Sequence, residues 1–163
     1  MQTCSAISLS GGQGKTTTIF FTALLLAKQG KKVLVIDADP QANLTFYLNH
    51  EVQADDPSLF EVLTREVTIE DGIYETQYEN LFIVPADTGL FKVSDRLSSS
   101  GAGAFALRRC LKDVADIFDY TLIDVQPSRS QISLPAAGAS NHVLIPVEAN
   151  VKGVTSLVET LAF

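Results

Sequence analysis

The chain has 163 residues, of which 46% are hydrophobic and 19% charged, and its net charge is −7. This length allows one domain with a buried core, and the composition excludes a disordered chain. The two cysteines lack metal-ligand spacing and no apolar run is long enough to span a bilayer. We therefore expect a reduced, cytoplasmic setting and no membrane partner.

The acidic charge is concentrated in one segment. Residues 51–79 contain nine acidic side chains and one basic side chain, Arg65, which leaves a net charge of +1 on the rest of the chain. We interpret this segment as a solvated face, with a partner-repelling or adaptor-binding surface as the alternative. The acidic total therefore does not exclude nucleic-acid binding elsewhere.

Strands and helices are predicted to alternate along the chain. Apolar runs predict strands near residues 3–9, 33–37, 81–85, 120–124 and 142–147. Helices are expected near 15–29, 104–118 and 152–163, with shorter turns near 58–64 and 88–97. The first helix is expected to be buried and to stop at Gly30. This alternation is typical of an α/β fold with a doubly wound, mainly parallel sheet and helices on both faces.

A glycine-rich loop follows the first predicted strand. Residues 10–17 read Ser-Gly-Gly-Gln-Gly-Lys-Thr-Thr and open the first helix. Glycines 11, 12 and 14 allow consecutive N–H groups to converge on phosphate oxygens, to which the helix N-terminus adds partial positive charge. Lys15 supplies a charge for β- and γ-phosphates, and the Thr16 hydroxyl can ligate Mg²⁺. A turn that merely caps a helix is disfavoured, because the strand, loop and helix occur in the order of a P-loop.

Three aspartates follow two other predicted strands. Asp37 and Asp39 end the run Val-Leu-Val-Ile-Asp-Ala-Asp, and Asp124 ends Tyr-Thr-Leu-Ile-Asp. Any one of them alone would be interpreted as a turn residue or helix cap. Because ligands bind at the carboxyl ends of parallel strands, we expect all three to meet the phosphate loop, where Mg²⁺ and a water need carboxylates.

Together these motifs resemble the ParA/MinD/Soj family of P-loop ATPases. The resemblance rests on Gly-Gly-x-Gly-Lys-Thr-Thr, Val-Ile-Asp-x-Asp-Pro-Gln and Ile-Asp-x-x-Pro-Ser in that order, and it extends to residues 143–147 and Gly153. It implies ATP and Mg²⁺ as cofactors, slow ATP hydrolysis and an ATP-dependent homodimer. It also implies nonspecific binding of duplex DNA, nucleoid association and an adaptor protein that stimulates hydrolysis.

The same resemblance assigns roles to the site residues. Lys15 and the loop amides of Gly11, Gly12, Gln13 and Gly14 bind the β- and γ-phosphates, and Thr17 binds the α-phosphate. Mg²⁺ is held directly by Thr16 and, through its waters, by Asp37 and Asp124. Asp39 orients the attacking water, and the segments after Asp39 and Asp124 are the switches that sense the γ-phosphate.

One position departs from the family pattern. A signature lysine normally precedes the first Gly-Gly and reaches the partner's nucleotide, but this chain has Ser10 there. The carboxysome-positioning McdA subset resembles the chain in this replacement, and plasmid-partition relatives remain an alternative. Serine cannot neutralise phosphate, so another cation is expected: Lys152 is favoured as a nucleotide-binding residue across the dimer, and Arg129 is the second candidate.

We expect residues 1–163 to form a single P-loop ATPase domain that lacks the C-terminal part of the family fold. Two other functions stay open: a nucleotide-binding scaffold without hydrolysis, and a metabolic P-loop enzyme of the same superfamily. His50 and His142 are interpreted as structural or surface residues, since zinc sites need clustered ligands. Few basic groups are available to DNA: Lys28, Lys31, Lys32, Arg108, Arg109 and Lys112.

Overall fold

The computed structural model describes residues 1–93, 105–127 and 133–162. Within these ranges six strands form one sheet: β1 Gln2–Ala6, β2 Val33–Ala38, β3 Tyr74–Glu75, β4 Leu81–Val84, β5 Tyr120–Val125 and β6 His142–Leu144. Their order across the sheet is β3-β4-β2-β5-β1-β6. All neighbouring pairs are parallel except β3 with β4, so the sheet is mainly parallel as predicted.

Helices connect the strands of this sheet. In the described ranges they are α1 Lys15–Lys28, α2 Asn43–Tyr47, α3 Leu59–Thr64, α4 Ala106–Asp113, α5 Ser133–Ala139 and α6 Val151–Leu161. Two 3₁₀ turns span Glu70–Gly72 and Thr88–Lys92. The short elements α2, α5 and β3 were not predicted, because two to seven residues are too few for a periodic apolar pattern.

Apolar layers cover both faces of the sheet. On β2, Val33 and Val35 pack in one cluster with Ile19, Ala23 and Leu44 of α1 and α2. The alternate residues Leu34 and Ile36 pack in a second cluster with α3 and α4. Because successive side chains of a strand point to opposite faces, β2 is buried on both sides, and the doubly wound architecture is confirmed.

Several predicted elements were longer than the observed ones. Helix α4 ends at Asp113, and the next residues form turns with N–H groups bonded three residues back, at Ala115 and Ile117. This turn brings Phe118 against Phe82, with ring centroids 5.4 Å apart, and lets β5 begin at Tyr120. Phe105 and Ile117 fall within the predicted helix but outside α4, and they are 56% and 44% exposed.

Helix α1 is only partly buried. Ile19, Ala23 and Ala27 are buried against the sheet, whereas Phe21 and Leu25 are 57% and 61% exposed, so the predicted burial holds for one face of the helix. The helix stops before Gly30, whose φ of 78° confirms the predicted glycine stop. Strand β1 ends at Ala6 and β6 at Leu144, earlier than expected, and residues 94–97 of a predicted turn lie outside the described residues.

The acidic segment lies mostly at the surface, as predicted. Seven of its nine carboxylates are exposed, and Glu61 instead accepts the Ser58 N–H at 2.8 Å in a capping box at the start of α3. The His50 ring packs on Tyr74, and His142 is exposed. The part of the chain that the structure describes contains no cluster of three metal-ligating His, Cys, Asp or Glu residues and no helix able to span a bilayer.

Candidate functional site

The phosphate loop joins β1 to α1 at the carboxyl edge of the sheet. Gly12 and Gly14 have φ angles of 77° and 81°, and a Cβ at either position would meet no atom within 4 Å. Gly14 is the N-cap of α1 and makes no side-chain cap, which leaves the first N–H groups of the helix available to an anion. Gly11 has no such φ, so its predicted need for backbone freedom was wrong.

Lys15 lies between the loop and two carboxylates. Its side chain is buried, and burial lowers the pKa of the Lys15 ammonium, while the charges of Asp124 and Asp39 partly restore it. A buried ammonium is stabilised by an anion that replaces the lost water. The loop therefore presents a positive charge whose environment favours a phosphate.

Asp37 is the penultimate residue of β2 and accepts three hydrogen bonds from protein donors. One of its oxygens accepts the N–H and the hydroxyl of Thr45, both at 2.8 Å, and the other accepts the Asp39 N–H at 3.2 Å. The Thr45 hydroxyl in turn accepts the Ala86 N–H at 3.1 Å, which ties α2 to the end of β4. Burial still raises the pKa of Asp37 to about 6, although these donors lower it.

Asp124 is the penultimate residue of β5 and is equally buried, but neither of its oxygens has a hydrogen-bond partner among the described residues. The Thr16 hydroxyl lowers the pKa of this carboxylate, but the two groups do not meet hydrogen-bond geometry. Burial dominates and raises the pKa of Asp124 to about 7. An orphaned buried carboxylate is costly unless a ligand completes it.

The two carboxylates are direct neighbours in the sheet, since Asp37 pairs with Asp124 in the β2–β5 register. Their charges repel, which contributes to the raised pKa of Asp124. Thr16, Lys15 and both aspartates are thus brought together at one edge, as predicted.

Asp39 lies in the wall of a cavity of about 350 Å³. It is 8% exposed, and one of its oxygens accepts the Gln41 N–H at 2.9 Å in a local turn. The cavity is lined by this residue together with Gly11, Gly12, Gln13, Gly14, Lys15, Thr16, Thr17, Asn43, Tyr47 and Pro127. The predicted phosphate-binding residues and the predicted catalytic carboxylate therefore share one opening.

Sequence reasoning missed the contribution of α2. Asn43 and Tyr47 are one helical turn apart and both line the cavity, and Thr45 holds Asp37 from the buried side. Their sequence signal is weak, because a five-residue helix shows no amphipathic period. The available signal was the position of three hydrogen-bonding side chains directly after Asp-Pro-Gln.

Of the two candidate replacements for the signature lysine, the structure describes one. Lys152 is the second residue of α6, is exposed, and does not line the cavity. The preceding loop nevertheless contacts the phosphate loop, because the Glu148 N–H donates to Gln13 Oε1 at 2.9 Å. Arg129 lies outside the described residues.

The donor set fits a phosphate-bound Mg²⁺. A hydroxyl and carboxylates are the hard oxygen ligands that this ion prefers, and Mg²⁺ usually takes few direct protein ligands and keeps several waters. The unpaired oxygens of Asp124 beside Thr16 offer acceptors for such waters, whereas those of Asp37 are largely used by protein donors.

A glycine cradle before a helix, a buried lysine and carboxylates at the ends of two adjacent parallel strands define a P-loop nucleotide-binding protein. A family model described as AAA domain, AAA_31, matches residues 1–163. The chain belongs to this family, and the predicted resemblance to ParA-like proteins, with McdA proteins among the near relatives, is confirmed.

Two curated relatives illustrate this. The chain is 50% identical over 161 residues to maintenance of carboxysome distribution protein A of Gloeothece citriformis, covering 99% of the chain and 62% of that protein. It is 34% identical to sporulation initiation inhibitor protein Soj of Bacillus subtilis, covering 93% of the chain and 61% of the relative. The chain thus spans less than two thirds of the length of these proteins.

Two solved structures are also similar. An ATP complex of a Cyanothece McdA variant superposes with a TM-score of 0.96 at 49% identity, over 99% of this chain and 62% of the other. Cobyrinic acid a,c-diamide synthase from Mycobacterium smegmatis, with a bound ATP analogue and magnesium, gives a TM-score of 0.91 at 29% identity, over 99% and 67% of the two chains.

Proposed function

We propose that the chain is the nucleotide-binding part of an ATP-dependent positioning protein that distributes a cargo, a carboxysome or a plasmid, over the nucleoid. The observation that carries the proposal is the unpaired, buried Asp124 near Lys15 and Thr16, at the sheet edge that bears the glycine cradle. Such a site is incomplete without a phosphate and a hard cation. The relatives described above supply the biological context.

Each residue of the site has a role in this proposal. Lys15 and the N–H groups from Gly11 to Thr17 hold the β- and γ-phosphates, and the Thr17 hydroxyl holds the α-phosphate. Thr16 would ligate Mg²⁺, and Asp124 and Asp37 would accept from its waters. The ion, when bound, neutralises charge on the phosphates as the terminal bond breaks.

Asp39 is the proposed hydrolytic residue. Its carboxylate lines the cavity and its orientation is fixed by the Gln41 N–H, so it can accept a hydrogen bond from a water placed against the γ-phosphate. A strong base is unnecessary, because positioning and charge neutralisation dominate phosphoryl transfer. In this proposal hydrolysis is slow and acts as a timer.

Dimerisation is proposed to depend on which nucleotide is bound. The segments after Asp39 and Asp124 sense the γ-phosphate, and ATP shifts the monomer–dimer equilibrium only by its differential affinity for the dimer. Lys152 of one subunit would neutralise phosphate in the other, since Ser10 cannot. Equal ATP-dependent dimerisation of the parent and Lys152→Ala in light scattering would remove this assignment.

DNA binding and adaptor contact belong to the same proposal. Lys28, Lys31 and Arg108 are exposed and available to duplex phosphate, whereas the Lys32 ammonium lies over the Phe82 and Phe118 rings, at 5.2 and 5.5 Å. Binding should require ATP and weaken steeply with salt. The solvated acidic face formed by residues 51–79 is a candidate surface for an adaptor that stimulates hydrolysis.

A metabolic P-loop enzyme is the second candidate, favoured by the likeness to cobyrinic acid a,c-diamide synthase. A nucleotide-binding scaffold without hydrolysis is the third. Phosphate release from ATP, measured without any further substrate, separates the first candidate from the other two. The positioning protein releases phosphate slowly, and the other two release none.

The test uses two variants of the site. Asp39→Ala should keep ATP affinity in a calorimetric titration and lose phosphate release, whereas Lys15→Ala should lose ATP binding altogether. Unchanged ATP affinity in Lys15→Ala would contradict the site itself. Parent-like phosphate release from Asp39→Ala would contradict only the catalytic role.

A further inference from the structure

Helix α6 is tied to the phosphate-loop segment by three hydrogen bonds between distant parts of the chain. The Glu148 N–H donates to Gln13 Oε1 at 2.9 Å, in the turn before the helix. Within the helix, Ser156 Oγ lies 3.1 Å from Ser8 Oγ, and Thr160 Oγ1 accepts the Leu9 N–H at 3.1 Å. Two of these bonds hold the stem of the loop, and only the Gln13 bond holds the phosphate cradle itself.

Only one of the two polar atoms of the Gln13 side chain has a partner among the described residues. The side chain is 6% exposed, and its Nε2 is buried with no partner in the described ranges. An amide nitrogen left unpaired in a protein interior has lost its hydrogen bonds to water without replacing them, which is unfavourable. Because Gln13 lines the phosphate cavity, a phosphate oxygen is an acceptor that would remove this cost.

The turn that Gln13 holds is rigidly connected to the start of α6. Asn150 N–H donates to the Glu148 carbonyl at 2.7 Å, and the Asn150 side chain accepts the Gly153 N–H at 2.8 Å. A Cβ on Gly153 would overlap the Glu148 carbonyl oxygen, so the backbones of these two residues are closely packed. Movement of Glu148 therefore carries Lys152 and the first turn of the helix with it.

We propose that Gln13 is a positioning residue that couples nucleotide occupancy of the phosphate loop to the N-terminal turn of α6. Its Oε1 holds the Glu148 N–H while its free Nε2 donates to a phosphate oxygen of the bound nucleotide. Binding thereby orders the turn of residues 148–153 and places Lys152. This inference rests on the proposed nucleotide-binding function, and the ligand class is a nucleoside di- or triphosphate.

The experiment is hydrogen exchange read by mass spectrometry on the complete polypeptide, with and without Mg·ADP. The diphosphate is chosen because the proposed dimer requires ATP, so dimerisation does not contribute. In the parent protein, Mg·ADP should slow exchange in two segments, residues 11–18 and residues 148–156.

Three variants separate the two halves of the coupling. Gln13→Met, which removes donor and acceptor, should keep the response of 11–18, lose that of 148–156, and speed basal exchange there by roughly twofold to tenfold. Gln13→Glu keeps the acceptor, so its basal exchange should match the parent while its response to Mg·ADP is weakened. Gln77→Met, the same change at an exposed and distant glutamine, should behave like the parent.

The outcomes are distinguishable. A response of 11–18 without one of 148–156 in the parent, or an unchanged response of 148–156 in Gln13→Met, overturns the coupling and leaves the nucleotide site intact. No response in either segment of the parent overturns the nucleotide site and the coupling with it. If Gln13→Met does not fold, Gln13→Glu decides: a full response of 148–156 overturns the proposal.

Discussion

Two aspartates at paired positions of adjacent strands have opposite surroundings. Asp37 at the end of β2 accepts three hydrogen bonds from Thr45 and Asp39, whereas Asp124 at the end of β5 accepts none among the described residues. Both are buried, and their pKa values are raised to about 6 and about 7. Asp37 is therefore held by protein donors, whereas the oxygens of Asp124 are the ones that we propose for a ligand.

Asp37→Asn should give the largest effect. Asparagine offers one acceptor oxygen where Asp37 uses two, and its NH₂ would face groups that donate, so we expect the free energy of unfolding to fall by about 3 kcal/mol. Urea denaturation measures this. Asp116→Asn, at an exposed position, is the control and should change stability little. An unchanged free energy of unfolding in Asp37→Asn would contradict the role assigned to these hydrogen bonds.

Asp124→Asn should raise the free energy of unfolding of the nucleotide-free protein, the opposite of the effect expected for Asp37→Asn. A carboxyl whose folded pKa is raised stabilises the fold at low pH, and this contribution is lost as the pH rises from about 4 through about 7. At pH 7.5 the parent therefore contains a costly carboxylate that the variant lacks. We expect the variant to be more stable by about 2 kcal/mol at pH 7.5 and by much less at pH 5.

Thermal or urea unfolding across this pH range tests whether Asp124→Asn is more or less stable than the parent. The parent should lose stability between pH 5 and pH 7.5 more steeply than Asp124→Asn. A variant that is less stable than the parent at pH 7.5 would show that Asp124 has a partner in solution.

Thr45→Val should sharpen the account of Asp37. The change keeps the shape of the side chain but removes one hydroxyl bond to Asp37 and the acceptor of the Ala86 N–H. We expect a loss of about 1–2 kcal/mol in the free energy of unfolding, with Thr45→Ser as the variant that restores the hydroxyl. Equal losses in both variants would mean that packing, and not the hydrogen bonds, decides.

Gly11 and Gly12 of the phosphate loop differ in backbone conformation, and substitutions of these glycines should differ in cost. Gly12→Ala forces alanine to a φ of 77° and should cost about 1 kcal/mol of stability. Gly11 has an ordinary φ, and a Cβ there would lie 3.9 Å from Pro127 Cγ, so Gly11→Ala should cost less. Chemical denaturation of both variants checks the order, and equal costs would contradict the assigned backbone geometry.

The sequence predicted those parts of the molecule that depend on local pattern. The phosphate loop, the strands ending in Asp37 and Asp124, and the mainly parallel sheet all follow from short apolar runs and glycine positions. The contact of Thr45 with Ala86, and that of Gln13 with Glu148 across 135 residues, could not be predicted, because side-chain pairing between distant segments leaves no local signal. The same reason explains why the contrast between Asp37 and Asp124 is visible only in the folded chain.

The central claim is that Asp124 is an unpaired carboxylate reserved for a magnesium–nucleotide complex. Calorimetric titration of Mg·ADP at pH 6.5, in buffers of different protonation enthalpy, tests it directly by counting protons. Because the pKa of Asp124 is raised to about 7, the site should release most of a proton when the ligand binds. Asp124→Asn should release clearly less, because only Asp37, whose pKa is raised to about 6, remains partly protonated. Equal proton release from the parent and from Asp124→Asn would contradict the claim.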